Sequence, residues 1–517
     1  MISDPITLFS SARTAFPKYA ALLDALAGVI AADAPVLPPV VPVIPPAPTI
    51  APDLSVLVGQ PLFLDGGGAL FRVDFGDPAG RFPALRGYNA AHVYDSPGNF
   101  TAKITRDPST SLGIGPSTSL GTGPATPLGP GPSTSLGTNP ANLLGTVSPD
   151  STQAVHVLAD TRPQILLNPG DDLAKAIGQL KDNTILILPA GATFDLTATA
   201  VISASGITLR AAAPSAATPQ PASGPRIRRI ASPGSYSALS VSGHDVSIEG
   251  IEFDSDRPLD GAGGKVGVYA ITFGGRNLLV RRCNFRNIDD AIHTLPGAQN
   301  LMALDCTFTN ELRAYGAYLD AMKGVAILGC TSAGSKNEHP IRVDGAQNVL
   351  LEANDLTSTT DKECLAVREG RCVAIADNTF RSWVRVSQGA PPAMPINPAP
   401  APGQPTTPAT NAPATNAAAF MPAAPACQHI LLAANHFAGL HPAGVWLQIN
   451  PGSDDVWIDA NRFDADERQS CVAVQAPSSN IRLTNNAQAM VNGAKTTRPL
   501  VTPVNGGQFV ESGTTIA

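Results

Sequence analysis

The chain has 517 residues, with 47 Gly, 49 Pro, 15% charged residues and a formal net charge of −7. That length accommodates a large core with a second domain beside it. Mild acidity without a Lys/Arg cluster excludes a nucleic-acid surface, and no segment reaches the roughly eighteen apolar residues of a membrane span.

Residues 1–49 open the chain. Tyr19 to Ala32 is apolar and helix-prone but is interrupted by Asp24, and Met1 to Pro17 is long for the charged start of a signal peptide. An amphipathic helix or tail is expected over 1–35, then an extended Pro-rich linker over Ala34 to Pro52. Residues 50–107 alternate as strands do, with Pro-Gly and Gly-Asp turns, and predict a small β-sandwich. Within it, Val73-Asp-Phe75-Gly76-Asp77-Pro78 is followed by His92-Val-Tyr94 and Pro97-Gly98-Asn-Phe100-Thr101. Both runs resemble the polycystic kidney disease (PKD) repeat family, with Val73 for the usual Trp, Pro78 for Gly and Phe100 for Tyr. The resemblance implies an immunoglobulin-like sandwich of a surface or secreted protein. Residues 108–150 repeat Pro-Ser-Thr-Ser-Leu-Gly and its variants with a period of eight, from Pro108 to Gly145. Their apolar content is too low for a core, so a linker separating the sandwich from the C-terminal part of the chain is expected.

From residue 151 to 517 a different order begins. Asp171 to Leu180 predicts a short amphipathic helix with acids at its start. Beyond it, one pattern returns: Val246 to Phe253, Leu278 to Phe285, Leu301 to Phe308, Val325 to Ser332, Val349 to Leu356, Val373 to Phe380, and three later copies. The sixth residue of each copy gives the series Ile251, Cys283, Cys306, Cys330, Asn354, Asn378, Asn435, Asn461, Asn486, with steps of 32, 23, 24, 24, 24, 57, 26 and 25. A repeat of about 24 residues, rich in alternating Val, Ile and Leu, holds three short strands and reads as one coil of a parallel β-helix. The markers then stack as a ladder of Cys followed by Asn, the Asn amides bonding between coils. The helix followed by Thr184-Ile-Leu-Ile-Leu-Pro-Ala-Gly-Ala-Thr-Phe194 resembles the opening of pectin-lyase-like right-handed β-helices, where a helix caps the first coil. That resemblance covers residues 165–490 and supplies the handedness. The step of 57 contains an insert rich in Pro and Ala at 389–426, expected to leave the solenoid as a loop.

The seven cysteines include no Cys-x-x-Cys pair and read as buried apolar residues rather than disulfides or zinc ligands. The acids are too dispersed for ligand spacing, so no metal residue is assigned and Ca²⁺ stands only as a candidate cofactor.

Polar residues that break the coil pattern are the site candidates. Ile341-Arg342-Val343-Asp344 and Leu365-Ala-Val367-Arg368 turn Arg342, Asp344 and Arg368 outward, and His293, Tyr318 and Asp320 reach the same face from earlier coils. Turns add Asp289, Asp290, Lys336, Glu338, His339, Lys362 and Glu363. A patch with both signs, few lysines and flanking Tyr315 and Tyr318 suits an anionic or hydroxyl-rich glycan. Asp289-Asp290-Ala-Ile292 resembles the Asp-Asp-Cys-Ile run of polygalacturonases, whose other motifs are missing. Glu363 to Gly370 resembles the Arg-x-Gly coil of chondroitinase B and alginate lyases, and Asp344 stands where that family has its Lys. In that family the Arg acts near the leaving oxygen and the Lys takes the proton; if this chain is a polysaccharide lyase, Arg368 and Arg342 would neutralise a uronate carboxylate while a neutral His339 or Lys336 takes the C5 proton. His293, Asp320, Asp344, Glu338, Lys362 and Tyr318 would bind substrate. The alternatives are a non-catalytic surface or matrix solenoid, and a hydrolase or tailspike-like depolymerase. The expected partner is a polysaccharide or cell-surface glycan, the location extracellular or at the cell surface, and the state a monomer, with a trimer as the alternative.

Overall fold

The computed structural model describes residues 53–107, 145–146, 150–212, 224–230, 237–256, 268–309, 312–335, 337–358, 362–388, 427–438, 445–465, 471–490, 500–504 and 506–516. The expected N-terminal helix, the Pro-rich linker, most of the octad repeats, Lys336 and the 389–426 insert lie outside these residues.

Each repeat places one strand in each of three parallel sheets, so the solenoid is a right-handed parallel β-helix. Sheet I has 13 strands, from Gln164–Leu166 to Val510–Ser512; sheet II has 12, from Thr193–Leu196 to Thr515–Ile516; sheet III has 11, from Ala200–Ile202 to Val501–Val504. The bend from sheet I to sheet II is the repeated pattern itself. The residue before each marker takes a left-handed φ, 52° at Arg282 and Asp305, 56° at Ala353, 53° at Asp377 and 54° at Ala434. One such residue turns the chain sharply, and no β-branched side chain occupies the position.

The marker ladder forms as the spacing predicts. Asn354, Asn378, Asn435, Asn461 and Asn486 are buried, and each accepts at Oδ1 the backbone N–H of the marker one coil earlier, at 2.8–3.0 Å. Their Nδ2 groups donate to sheet I carbonyls such as Ile327 O and Ile375 O. Cys283, Cys306 and Cys330 continue the column as buried free thiols. Two positions on, Phe253 stacks on Phe285 (5.2 Å) and Phe437 on Phe463 (4.5 Å), which fills the corner of the core. Helix α1 (Leu173–Gly178) closes the first coil with Leu173 and Ile177 buried, and the side chain of its N-cap Asp172 accepts from Lys175 N (3.0 Å).

The sandwich is a five-stranded sheet facing a three-stranded one. Its motif residues converge: His92 stacks on Phe75 (4.4 Å), its Nε2 lies 3.0 Å from Asp77 Oδ2, and Tyr94 OH donates to Phe75 O (3.2 Å). Strand Ser151–Leu158, which the sequence reading assigns to the solenoid, lies between Leu54–Leu57 and Gly98–Arg106 in the larger sheet. Gly145–Thr146 pairs with Pro61–Asp65 in the smaller one. The octad segment therefore leaves and re-enters the same sandwich instead of separating it from the solenoid.

The sandwich also lies directly on sheet I. There the outward residues Leu279, Met302, Leu304, Ala326, Leu328, Leu350, Ala374, Leu431 and Ala433 are buried in one cluster with the sandwich core. Gly87 passes so close that a Cβ would meet Leu350 Cδ1 at 3.3 Å. Polar pins frame the contact: Arg281 to Asp95 (2.6 and 2.7 Å), Lys323 to Asp65 (2.8 Å) and Asn348 Nδ2 to Asp65 Oδ1 (2.9 Å). Apolar runs such as Leu278-Leu-Val and Val349-Leu-Leu are continuous because sheet I is covered on both faces.

Candidate functional site

Sheet III is the face on which charge and aromatic side chains collect. Its inward row, Ile292, Ala317, Ile341, Leu365 and Val384, is fully buried, so alternate residues must point outward. Register sets two outward rows. One runs Thr272, His293, Tyr318, Arg342, Ala366, Arg385; the other, two residues on, runs Asp320, Asp344, Arg368, Ser387. Neighbours in a row are one strand spacing apart, about 4.8 Å at the backbone.

An aromatic stack begins the face. The His293 ring lies between Tyr269 (centroids 4.6 Å) and Tyr318 (4.9 Å), and Tyr315 tilts against Tyr318 (5.1 Å). His293 Nδ1 hydrogen-bonds buried Asp290 at Oδ2 (2.8 Å), so Nε2 is the ring nitrogen without a partner among the described residues. Burial raises the Asp290 carboxyl above its usual range.

Arg342 ties the stack to the acids. Its Nη1 donates to Tyr315 OH (3.0 Å) and its Nη2 to Asp344 Oδ2 (2.6 Å), with the guanidinium over the Tyr318 ring (5.2 Å). Burial works against the Arg342 cation, but Tyr315 and Asp344 outweigh it and hold the group above its ordinary range. Tyr318 OH also donates to Asp344 Oδ2 (3.2 Å). Asp320, the register partner of Asp344, spends its backbone N–H on Thr294 Oγ1 (2.8 Å). Its carboxyl is raised by burial and then by the Asp344 charge. Glu369 is raised in the same way, by burial and then Asp344.

Behind this layer lies a second one. His339 is 1% exposed, with Nδ1 3.0 Å from Glu363 Oε2, and Glu363 Oε1 takes Arg385 Nη1 at 2.7 Å. Burial tends to raise Glu363, but His339 and Arg385 prevail and hold it low. The sequence reading makes His339 a candidate base; the fold encloses it between Glu363 and the Tyr315 ring. Glu338 and exposed Lys362 sit at the rim, 4.0 Å apart. Arg368 is half-buried, and its guanidinium has no acidic partner among the described residues. Thus Arg342, Asp344, Arg368, Asp320, His293 and Tyr318 share one face, and Lys336 lies outside the described residues. Tyr269 and Arg385 escape the sequence reading, although Val384-Arg385-Val386 carries the same in-out-in signature as Ile341-Arg342-Val343. Among the described residues no group of His, Cys, Asp and Glu is arranged to hold a metal.

No protein-family model matches the sequence, and a search of curated proteins finds no relative. Solved structures do align. The A-module of the Azotobacter vinelandii mannuronan C-5 epimerase AlgE4 is 13% identical over 66% of this chain and 94% of its own, with a TM-score of 0.41. A mutant DFA-IIIase from Arthrobacter chlorophenolicus A6 is 12% identical over 69% and 94%, at 0.46. An alginate lyase from Paenibacillus sp. str. FPU-7 is 11% identical over 68% and 99%, at 0.31. Likenesses at these levels carry no argument about activity.

Proposed function

We propose that the chain binds a polysaccharide along the outer face of sheet III and cleaves it by acid–base chemistry at Asp320 and Asp344. The observation that carries this is the pair itself: two carboxyls at register positions on an exposed sheet, in unlike surroundings. The Asp320 carboxyl is raised by burial and the Asp344 charge, and Asp344 is salt-bridged to Arg342 and hydrogen-bonded by Tyr318. An acid raised by burial beside a carboxylate tied to an arginine suits one for donating a proton to a glycosidic oxygen and the other for acting as the carboxylate partner. The Tyr269–His293–Tyr318 stack offers flat surfaces for sugar rings beside them.

A second reading, β-elimination on a uronate-containing glycan, is favoured by Arg368, which has no acidic partner among the described residues, and by the Asp290–His293 pair, in which Nδ1 rather than Nε2 of His293 makes the hydrogen bond. Arg368 would neutralise the carboxylate and His293 would take the proton, a role that buried His339 is poorly sited to fill. In either reading the protein works outside the cell, and the sandwich is a PKD-like module. Its Phe75, Asp77, His92 and Tyr94 cluster supports that likeness. No described helix is long and apolar enough to cross a membrane.

The test is a panel of uronate and neutral polysaccharides, followed for new reducing ends and for the ultraviolet absorbance of an unsaturated uronate. Reducing ends without absorbance indicate hydrolysis, and both together indicate elimination. Asp320→Asn is expected to lower kcat about 10²- to 10⁴-fold in the hydrolytic case while leaving glycan binding intact. Glycan binding without cleavage by the unmodified protein would reduce the face to a binding surface.

A further inference from the structure

We propose that Cys372, His429 and Asp455 form a nucleophile–base–carboxylate line that makes Cys372 a site of exchange with small-molecule disulfides, apart from the face of sheet III. The three stand at the bends leading into sheet I, on successive coils. Register pairs Arg371 with Gln428 and Gln428 with Asp454, then Val373 with Ile430 and Ile430 with Val456. Cys372 is therefore opposite His429, and His429 opposite Asp455. All three take the left-handed φ of the bend, 55°, 56° and 53°. One backbone shape thus repeats, and adjacent members of the column are about 4.8 Å apart at the backbone. Earlier coils fill the same column with linked polar side chains, Asn277 Nδ2 donating to Asp245 Oδ1 and Asn300 Nδ2 to Asn277 Oδ1, both at 2.7 Å. Here it changes to thiol, imidazole and carboxylate. His429 Nδ1 lies 2.7 Å from Asp455 Oδ2, and its Nε2 has no partner among the described residues.

Cys372 differs from the other six cysteines, all of which are buried. Cys283, Cys306, Cys330, Cys364 and Cys427 donate their thiols to backbone carbonyls, whereas Cys372 has no acceptor among the described residues. Exposed Gly68 of the sandwich passes beside it, and a Cβ there would stand 3.9 Å from Sγ. The missing side chain leaves the sulfur within reach of a small molecule. Burial, then Asp65, pushes the thiol up to about 11, with Asp455 adding to the rise and Arg371 and Lys323 opposing it; Tyr88 faces it from the sandwich. The thiol is therefore protonated near neutral pH and needs a base to react. The Asp455 hydrogen bond raises His429 above its ordinary 6.5, aided by Asp454 and opposed by burial and Arg371. In the exchange His429 Nε2 takes the thiol proton and Sγ attacks one sulfur of the disulfide. The S–S bond breaks, and the departing thiolate takes the proton back from His429. Asp455 acts as a positioning residue through His429.

Incubation of the full chain with oxidised glutathione, followed by intact mass and peptide mapping, tests the site. One adduct per chain is expected, on Cys372, absent from Cys372→Ser and removed by dithiothreitol. Its rate of formation should rise with pH through an inflection above 6.5 and below 11, where His429 loses its proton. His429→Gln should slow the reaction about 10²-fold at neutral pH, as loss of a general base does, and leave a rise that follows the thiol alone. Asp455→Asn keeps the base and should move the inflection to lower pH, a change that a merely structural carboxylate would not produce. No adduct on the folded chain, or adducts on the buried thiols ahead of Cys372, would overturn the proposal. So would a rate unchanged in His429→Gln or an inflection unmoved in Asp455→Asn.

Discussion

Glu352 is the residue most at odds with its surroundings. It lies in the outward row of sheet I between Leu328 and Ala376, a row the sandwich covers. Its Oε2 is buried without a partner, and burial, then Asp377, pushes the carboxyl up to about 8 against the Arg86 backbone N–H. Because the folded value exceeds the ordinary 4.5, the neutral acid is the form the fold tolerates. Its contribution is fully present below about pH 4.5 and is lost as pH rises through about 8. Glu352→Gln should therefore raise stability by roughly 1–3 kcal/mol above about pH 8, with little gain near pH 5, since each pKa unit is worth about 1.4 kcal/mol. Urea melts at the two pH values check it; equal gains at both would contradict the buried carboxyl.

At the candidate site, single residues are legible where strand parity fixes them. Arg342, Asp344 and Arg368 alternate with Ile341, Val343, Leu365 and Val367, so their outward aim is given by the sequence. Arg385 obeys the same rule but borders the insert at 389, where the repeat is interrupted. The depth of His339 is not legible, because it depends on Tyr315 and Glu363 from neighbouring coils closing around it.

Among the elements, the Asn column carries the coil-to-coil order. Asn435 accepts from Asn378 N (3.0 Å) and Asn378 Nδ2 (2.9 Å), and donates to Ile375 O and Asn461 Oδ1. Asn435→Ala would leave at least two buried groups unpaired, at a cost of about 2–4 kcal/mol. Asn435→Cys should cost less, because a thiol already fills this place at Cys306 and Cys330. Denaturant unfolding of the two variants measures the difference; equal costs would mean that the thiol replaces none of the lost bonds, and no cost in either would mean that the amide bonds add nothing. The repeat period makes this ladder readable from the sequence, since identical positions in identical coils must stack. The two-sided burial of sheet I is harder to see: alternation along its strands points to a single buried face, whereas their continuous apolar runs are the mark of a second covering layer.

On the scale of the whole molecule, that layer makes the sandwich part of one structure with the solenoid. Leu350 is fully buried beneath Gly87. Leu350→Lys should loosen the sandwich without disturbing the inward core of its own strand, where Val349 and Leu351 face inside. Calorimetry should then resolve two transitions where the unmodified protein has one. Two transitions in the unmodified protein would show the contact to be weak.

The return of the chain into the sandwich at Gly145–Thr146 and Ser151–Leu158 also bears on how this sequence can change over time. The octad repeats join two ends that are both anchored in the same small body, so the ends stay where they are whatever the number of repeats. Doubling such a loop costs only about 0.6 kcal/mol of closure entropy. Slippage in the repeat can therefore lengthen or shorten the segment almost freely, while the sandwich, its seat on sheet I and the charged face of sheet III keep their geometry.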